Sequence, residues 1–295
     1  KVRSDLVIEK YRIYEEGKDF ILEQNQETNT KGTRQKKIAI DLNSNQMAYF
    51  KYEKYNCSES CSEKMSYEIA KVLDYPCAHI ELAKDKKNNI GVLNYLFIDR
   101  GQEEHHDATD FINKNESESK EYYTISNIKK CLDDIDKTLF NDFIKIMVFD
   151  ALVGETDRHA ENWGITSKNG KYKLSPLYDN GTNLLRNFRD EEYAEKYYTG
   201  KKQFSSYIPK ASSLIFKEDH SKHYKLHELI EYLYIKYPEQ VTKEIKNLDK
   251  LTPDKISAIV NEIPDELLTN KHKEFIIRYL KERKLLLESI IKGRW

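Results

Sequence analysis

Cysteine is scarce in this chain: four residues, Cys57, Cys61, Cys77 and Cys131, of which only the first two are close together. That spacing supplies no disulfide framework, and 295 residues are enough to bury a core that needs no covalent staple. Cys57 and Cys61 therefore read as unpaired thiols. Long apolar runs are missing too. No stretch approaches the roughly 20 apolar residues of a membrane helix, and the start KVRSDLVIEK lacks the apolar core of a secretory signal. These absences predict a soluble, cytoplasmic protein without membrane contact; because Lys1 is not an initiator Met, a preceding segment and export as an effector both stay open. Neither charge sign is in excess, with 49 Lys+Arg against 50 Asp+Glu. A general polyanion binder carries a net basic footprint, so direct nucleic-acid binding is not expected. Among eight histidines, His220, His223 and His227 have a spacing that could share a helix face, but no Cys or carboxylate pattern beside them completes a zinc signature. His105-His106 reads as a solvated pair in an acidic loop.

What is present is one change of pattern, near residue 98. Before it lie short extended candidates rich in Ile, Tyr, Phe and Val: Asp19 to Gln24, Lys37 to Leu42, Met47 to Tyr52, His79 to Leu82 and Ile90 to Phe97. They predict a small, mainly antiparallel sheet. One helix interrupts them, from Ser60 or Ser62 to about Leu73, with Ser62 as its candidate cap. After residue 120 the period is helical over Ile125 to Asp136, Asn141 to Val153, Tyr224 to Tyr237, Pro253 to Glu262 and Asp265 to Ile291. The reading is an α+β, two-lobed chain: a strand-rich lobe over residues 1–98, a larger helical lobe over 99–295, and a ligand cleft between them.

The densest chemistry is in FDALVGETDRHAEN (Phe149 to Asn162) and LSPLYDNGTNL (Leu174 to Leu184). A helix ends at Gly154, a polar turn carries Asp157, Arg158 and His159, and Asn162 follows Asp157 by five positions; Asp179 stands in a later turn. An acid that can contact a substrate hydroxyl, an amide oxygen nearby and a second acid after a hairpin suit metal-assisted phosphoryl transfer. Asp157 would orient or deprotonate the nucleophile, while Asn162 and Asp179 would hold Mg2+ through hard oxygens. Strand alternation puts Lys51 on the face opposite Phe50, where its ammonium could bind nucleotide phosphates. Glu63 is the chosen partner for Lys51, with Glu68 and Glu59 as competitors. TNTKGTRQKK (Thr28 to Lys37) is a basic turn in which Gly32 permits close backbone approach and Arg34, Lys36 and Lys37 attract phosphate; it satisfies no strict glycine-loop motif. Asp150, at helical spacing from Phe143, Ile146 and Met147, reads as a structural acid supporting the catalytic turn.

LVGETDRHAENWGI and LSPLYDNGTNL, with KGTRQKKIAI, AYFKYE, SEKMSYEIAKVLDYP and GVLNYLFI in order, resemble the HipA-like serine/threonine kinases, a distant branch of the protein-kinase-like fold. Ordered similarity runs from about Lys31 to Leu184, and the final helices look like the family's. The resemblance implies that Asp157 is the catalytic acid, Asn162 and Asp179 metal ligands, Lys51 the phosphate lysine, and Thr30 to Lys37 the nucleotide loop, contacting ATP through Thr30, Gly32, Thr33, Arg34 and Lys36, with His159 nearby. It also implies autophosphorylation in or beside that loop, with Thr28, Thr30 and Thr33 as candidates. The chain departs from the family at Glu155, where Asn is frequent, and at Thr182-Asn183, where a Ser pair is frequent; neither removes a ligand. Its start close to the nucleotide loop resembles compact members without the extra N-terminal subdomain of longer toxins, which weakens the case for an antitoxin-type partner.

The expected activity is thus ATP- and Mg2+-dependent transfer of phosphate to Ser or Thr of a protein substrate. A nucleotide-binding pseudokinase and a small-molecule kinase of the same fold are the competing readings. The Tyr-rich segment from Arg186 to Tyr207 is expected near the acceptor, ordering when substrate arrives.

Overall fold

A computed structural model describes residues 10–27, 36–99, 101–112 and 122–293. Six strands form one sheet in the order β1-β5-β6-β4-β3-β2: β1 (Ile13–Glu15), β2 (Phe20–Glu27), β3 (Lys36–Asp41), β4 (Met47–Tyr52), β5 (Ile80–Lys84) and β6 (Ile90–Tyr95). The short β1, which has too few residues to show a period, pairs parallel with β5; the other pairs are antiparallel. Period-two alternation divides the sheet. Phe20, Ala39, Ala48, Phe50, Ala83 and Leu93 make a small core on one face, and Leu82, Ile80 and Val92 join the main core on the other. Gly91 is needed where β6 crosses β4, because a Cβ there would lie 2.3 Å from the Lys51 carbonyl oxygen.

Helix α1 (Glu59–Val72) packs on β5 and β6 and buries Met65, Ile69 and Ala70. Its N-cap position is Ser58; Ser62 lies inside the first turns and donates instead to the Asn183 carbonyl at 3.1 Å, so the expected cap is corrected. The rest is mostly helical: α2 (Ala108–Ile112), α3 (Ile125–Ile135), α4 (Leu139–Val153), α5 (Glu191–Tyr198), α6 (Leu226–Lys236), α7 (Pro238–Asn247), α8 (Pro253–Asn261) and α9 (Asn270–Ile291). Helix α4 is apolar on nearly every side and is packed by α3, α6, α7 and α9, as a central core helix should be. Two smaller sheets complete the chain, β7 (Glu104–Asp107), β8 (Gly164–Lys168) and β9 (Lys171–Leu174) in one, β10 (Ser212–Phe216) and β11 (His223–Lys225) in the other.

Three sequence expectations are corrected here. His105 and His106 are paired residues of β7, opposite Thr166 and Ile165, not loop residues. His220, His223 and His227 share no helix: they fall in a turn, on β11 and on α6. The last helix starts at Asn270 rather than Asp265, because Thr269 accepts from the His272 N–H while Asp265 pairs with Lys273 and Lys10. In the segment from Arg186 to Tyr207, Phe188 stands at the centre of a ring cluster containing Tyr197, Phe204 and Phe275. All four cysteines are free thiols. No helix of the described residues is long and apolar enough to cross a membrane.

Candidate active site

A cleft of about 390 Å3 is lined from the six-stranded sheet by Lys36, Tyr49, Lys51 and Asn94, and from the helical side by Asp157, His159, Asn162, Tyr178 and Asp179. Lys51 is buried on β4, and Lys36 lies directly opposite it on β3, so two cations share one face of the sheet. Like charges so placed repel. Lys37, one position on, turns to the outer face against the Tyr52 ring, which removes it from the cleft.

The Lys51 ammonium lies 3.5 Å from Glu63 of α1 and 3.1 Å from Asp179, joining sheet, helix and loop at one point. The competing acids are engaged elsewhere: Glu59 with Arg186 and Lys54, Glu68 with Lys64 and Lys71. Asp179 holds its position with φ of +55° in a segment that runs beside residues 76–78, where the Leu177 N–H donates to the Pro76 carbonyl. Of the phosphate-loop candidates, Thr28, Thr30, Gly32, Thr33 and Arg34 lie outside the described residues.

Helix α4 positions the turn that carries Asp157. It ends in left-handed Gly154, where a Cβ would lie 2.0 Å from the Tyr279 hydroxyl. Buried Arg158 then folds back: its guanidinium binds both oxygens of Asp150, at 3.0 and 2.8 Å, and donates to the carbonyls of Asn162 and Tyr178. One side chain thus fixes α4, the Asp157 turn and the approach to Asp179; Asp150 holds the structural place expected of it. Asn162 donates through Nδ2 to the Asp157 carbonyl at 2.8 Å, closing the turn between them.

Glu155 is a further member that the sequence marked as a departure from its family without a role. Fully buried, it accepts from the Asp157 N–H at 2.9 Å and from the Thr182 N–H and Asn183 Nδ2 at 3.2 Å each, so one carboxyl ties the Asp157 turn to the loop after Asp179. Burial pushes it up to about 8, against the pull of Arg158. His105, Asp107 and Tyr178 also line the cleft and were missed. Tyr178 donates to Asp107 at 3.0 Å and stacks on Phe97, while His105 contacts Ser175 at 2.9 Å. Their partners are some 70 residues away in sequence, so no local pattern could have found them.

The chain resembles known proteins at three levels. Residues 28–263 match the model of the HipA-like C-terminal domain. A stretch of 154 residues is 25% identical to the serine/threonine-protein kinase CtkA of Helicobacter pylori, covering 52% of this chain and 46% of that protein, so the match spans about half the length of the relative. The crystal structure of the proinflammatory kinase CtkA of Helicobacter pylori superposes with a TM-score of 0.78 at 21% identity, over 92% of this chain and 96% of that one. A chain of the Shewanella oneidensis toxin–antitoxin complex of HipA, HipB and operator DNA superposes with a TM-score of 0.56 at 13% identity, over 92% and 68%. With its two-lobed α+β architecture of kinase-like fold, the chain belongs to the HipA-like C-terminal domain family.

Proposed function

We propose that the chain is a protein kinase that transfers the γ-phosphoryl group of ATP to a Ser or Thr hydroxyl. The observation that carries this reading is the buried Lys51 ammonium held between Glu63 and Asp179 on a cleft that also presents Asp157 and Asn162. Lys36 and Lys51 meet nucleotide phosphates, whose charge relieves their mutual repulsion. Asp157 accepts the proton as the acceptor oxygen bonds to phosphorus and the bridging oxygen leaves with ADP.

Asn162 and Asp179 suit Mg2+ because both bring an oxygen to the cleft, and Asn162 commits its NH2 to the Asp157 carbonyl, turning its amide oxygen away from that bond. Two protein oxygens leave most of the Mg2+ coordination to phosphates and water; no cluster of three or more His, Cys, Asp or Glu able to hold a metal occurs among the described residues. When bound, Mg2+ supplies neutralisation of the charge that develops on the transferring group. The kinase name of the Helicobacter relative supports the same activity. Self-phosphorylation at Thr28, Thr30 or Thr33, which lie outside the described residues, would add negative charge to that segment and repel incoming ATP.

In the test, Asp157→Asn should lower phosphoryl transfer about 100- to 10,000-fold while leaving ATP affinity within a few-fold. Turnover at the wild-type rate in that variant would remove Asp157 from the mechanism.

A further inference from the structure

A second cavity, a groove of about 340 Å3, adjoins the catalytic turn and shares no lining residue with the cleft. Consecutive residues face different cavities: Thr156 lines the groove and Asp157 the cleft. Thr182, three positions past Asp179, lines the groove as well, and Thr156 donates to its carbonyl at 3.3 Å. The groove and the cleft therefore adjoin the same turn, at Thr156 and Asp157.

The groove's charge is one-sided. The chain has 50 acidic residues, and four of the residues lining the cleft are acidic, Asp107, Asp157, Glu161 and Asp179. None of the residues lining the groove is Asp or Glu, whereas Arg186, Lys210 and His223 are among them. Arg186 is anchored by Glu59. Lys210 is exposed and makes no ion pair with the described residues. Beneath it the Lys225 ammonium donates to the Lys210 carbonyl at 3.1 Å and to Ser212 at 2.8 Å, adding fixed positive charge to the same rim. Glu228, whose carboxylate accepts from the Lys225 N–H, also pairs with Lys217 at 3.2 Å. In a chain of net charge -1 this concentration is local.

We propose that this groove holds one arm of the acceptor polypeptide and selects acidic side chains on that side of the Ser or Thr, whose hydroxyl reaches Asp157 past the Thr156-Asp157 turn, an inference that rests on the kinase reading. Lys210 and the rim above Lys225 meet the flanking carboxylates, and the hydroxyls of Thr156, Thr182 and Ser212 meet peptide backbone.

Binding is the discriminating measurement, because it does not require turnover. Fluorescently labelled Ser peptides, identical except for Glu or Lys on both sides of the Ser, are titrated by anisotropy with the full chain at low and high salt. The Glu peptide should bind about tenfold more tightly at low salt, and the preference should shrink as salt screens it. Lys210→Glu should reverse the preference, and its gain of the Lys peptide shows that the variant is folded. Equal affinity for the two peptides, preference for the Lys peptide, or no binding of either overturns the groove assignment. Charge-selective binding without phosphate transfer from ATP keeps the groove and overturns the kinase reading instead.

Discussion

Glu155 concentrates the site's chemistry in one side chain. Its ordinary value lies near 4.5 and burial takes it to about 8, so between those values the folded chain holds a proton that the unfolded chain has released. Its stabilising contribution is fully present below about 4.5 and is lost as pH rises through about 8. Glu155→Gln is neutral at every pH, so the decline of unfolding free energy with rising pH should flatten in the variant. Urea denaturation at a series of pH values reads this directly, and an undiminished slope would contradict it. The same side chain shows what residue-level reading reaches. Alternation over Met47 to Tyr52 was enough to orient Lys51, and the helix that follows offered Glu59, Glu63 and Glu68 as its candidate partners. Choosing among them needs the rotation of α1 over β5 and β6, which is a tertiary quantity.

Helices were legible where period and caps agree. Thr252-Pro253 begins α8 as its capping hydroxyl and first-turn Pro require, and Gly154 ends α4. They were less legible where a short strand or a Pro breaks one pattern in two: β11 takes His223–Lys225 from the helix expected from Tyr224, and α7 begins at Pro238 directly after α6. Helix α9 carries a consequence of its own. His272, buried in its first turn, contacts the Leu185 carbonyl through Nε2 at 3.0 Å, and burial lowers it from 6.5 to about 4. The unfolded chain therefore takes up a proton there before the folded one does. Stability from the neutral ring is present above about 6.5 and is lost as pH falls towards 4, by up to roughly 3 kcal/mol. Replacement by Gln keeps a donor for Leu185 without a titrating ring. His272→Gln should lose less stability than the wild type between neutral pH and pH about 4; equal acid losses in thermal or urea unfolding would exclude His272 as a source.

At the scale of the whole molecule, the loop after Asp179 closes the two lobes on each other. Arg186 pairs with Glu59 and Arg189 with Glu53, and the Ser58 N–H donates to the Arg186 carbonyl at 3.0 Å, so this loop grips the start of the helix that carries Glu63. Removing Arg189 leaves the Glu53 side chain, only 6% exposed, without its cation. Arg189→Leu should cost about 2 kcal/mol, less than a fully buried pair because Arg189 is partly exposed. It should also raise hydrogen exchange in the first turns of α1; protection equal to wild type there would show that the pair does not join the lobes. The central claim, that the cleft transfers phosphate, is tested most directly by incubating the purified chain with γ-labelled ATP and Mg2+ and following label into protein, with Asp179→Asn alongside. Incorporation by the wild type and its loss in the variant is the expected result. Equal incorporation by both, or ATP bound with no label transferred to the chain or to any Ser or Thr acceptor, would contradict it.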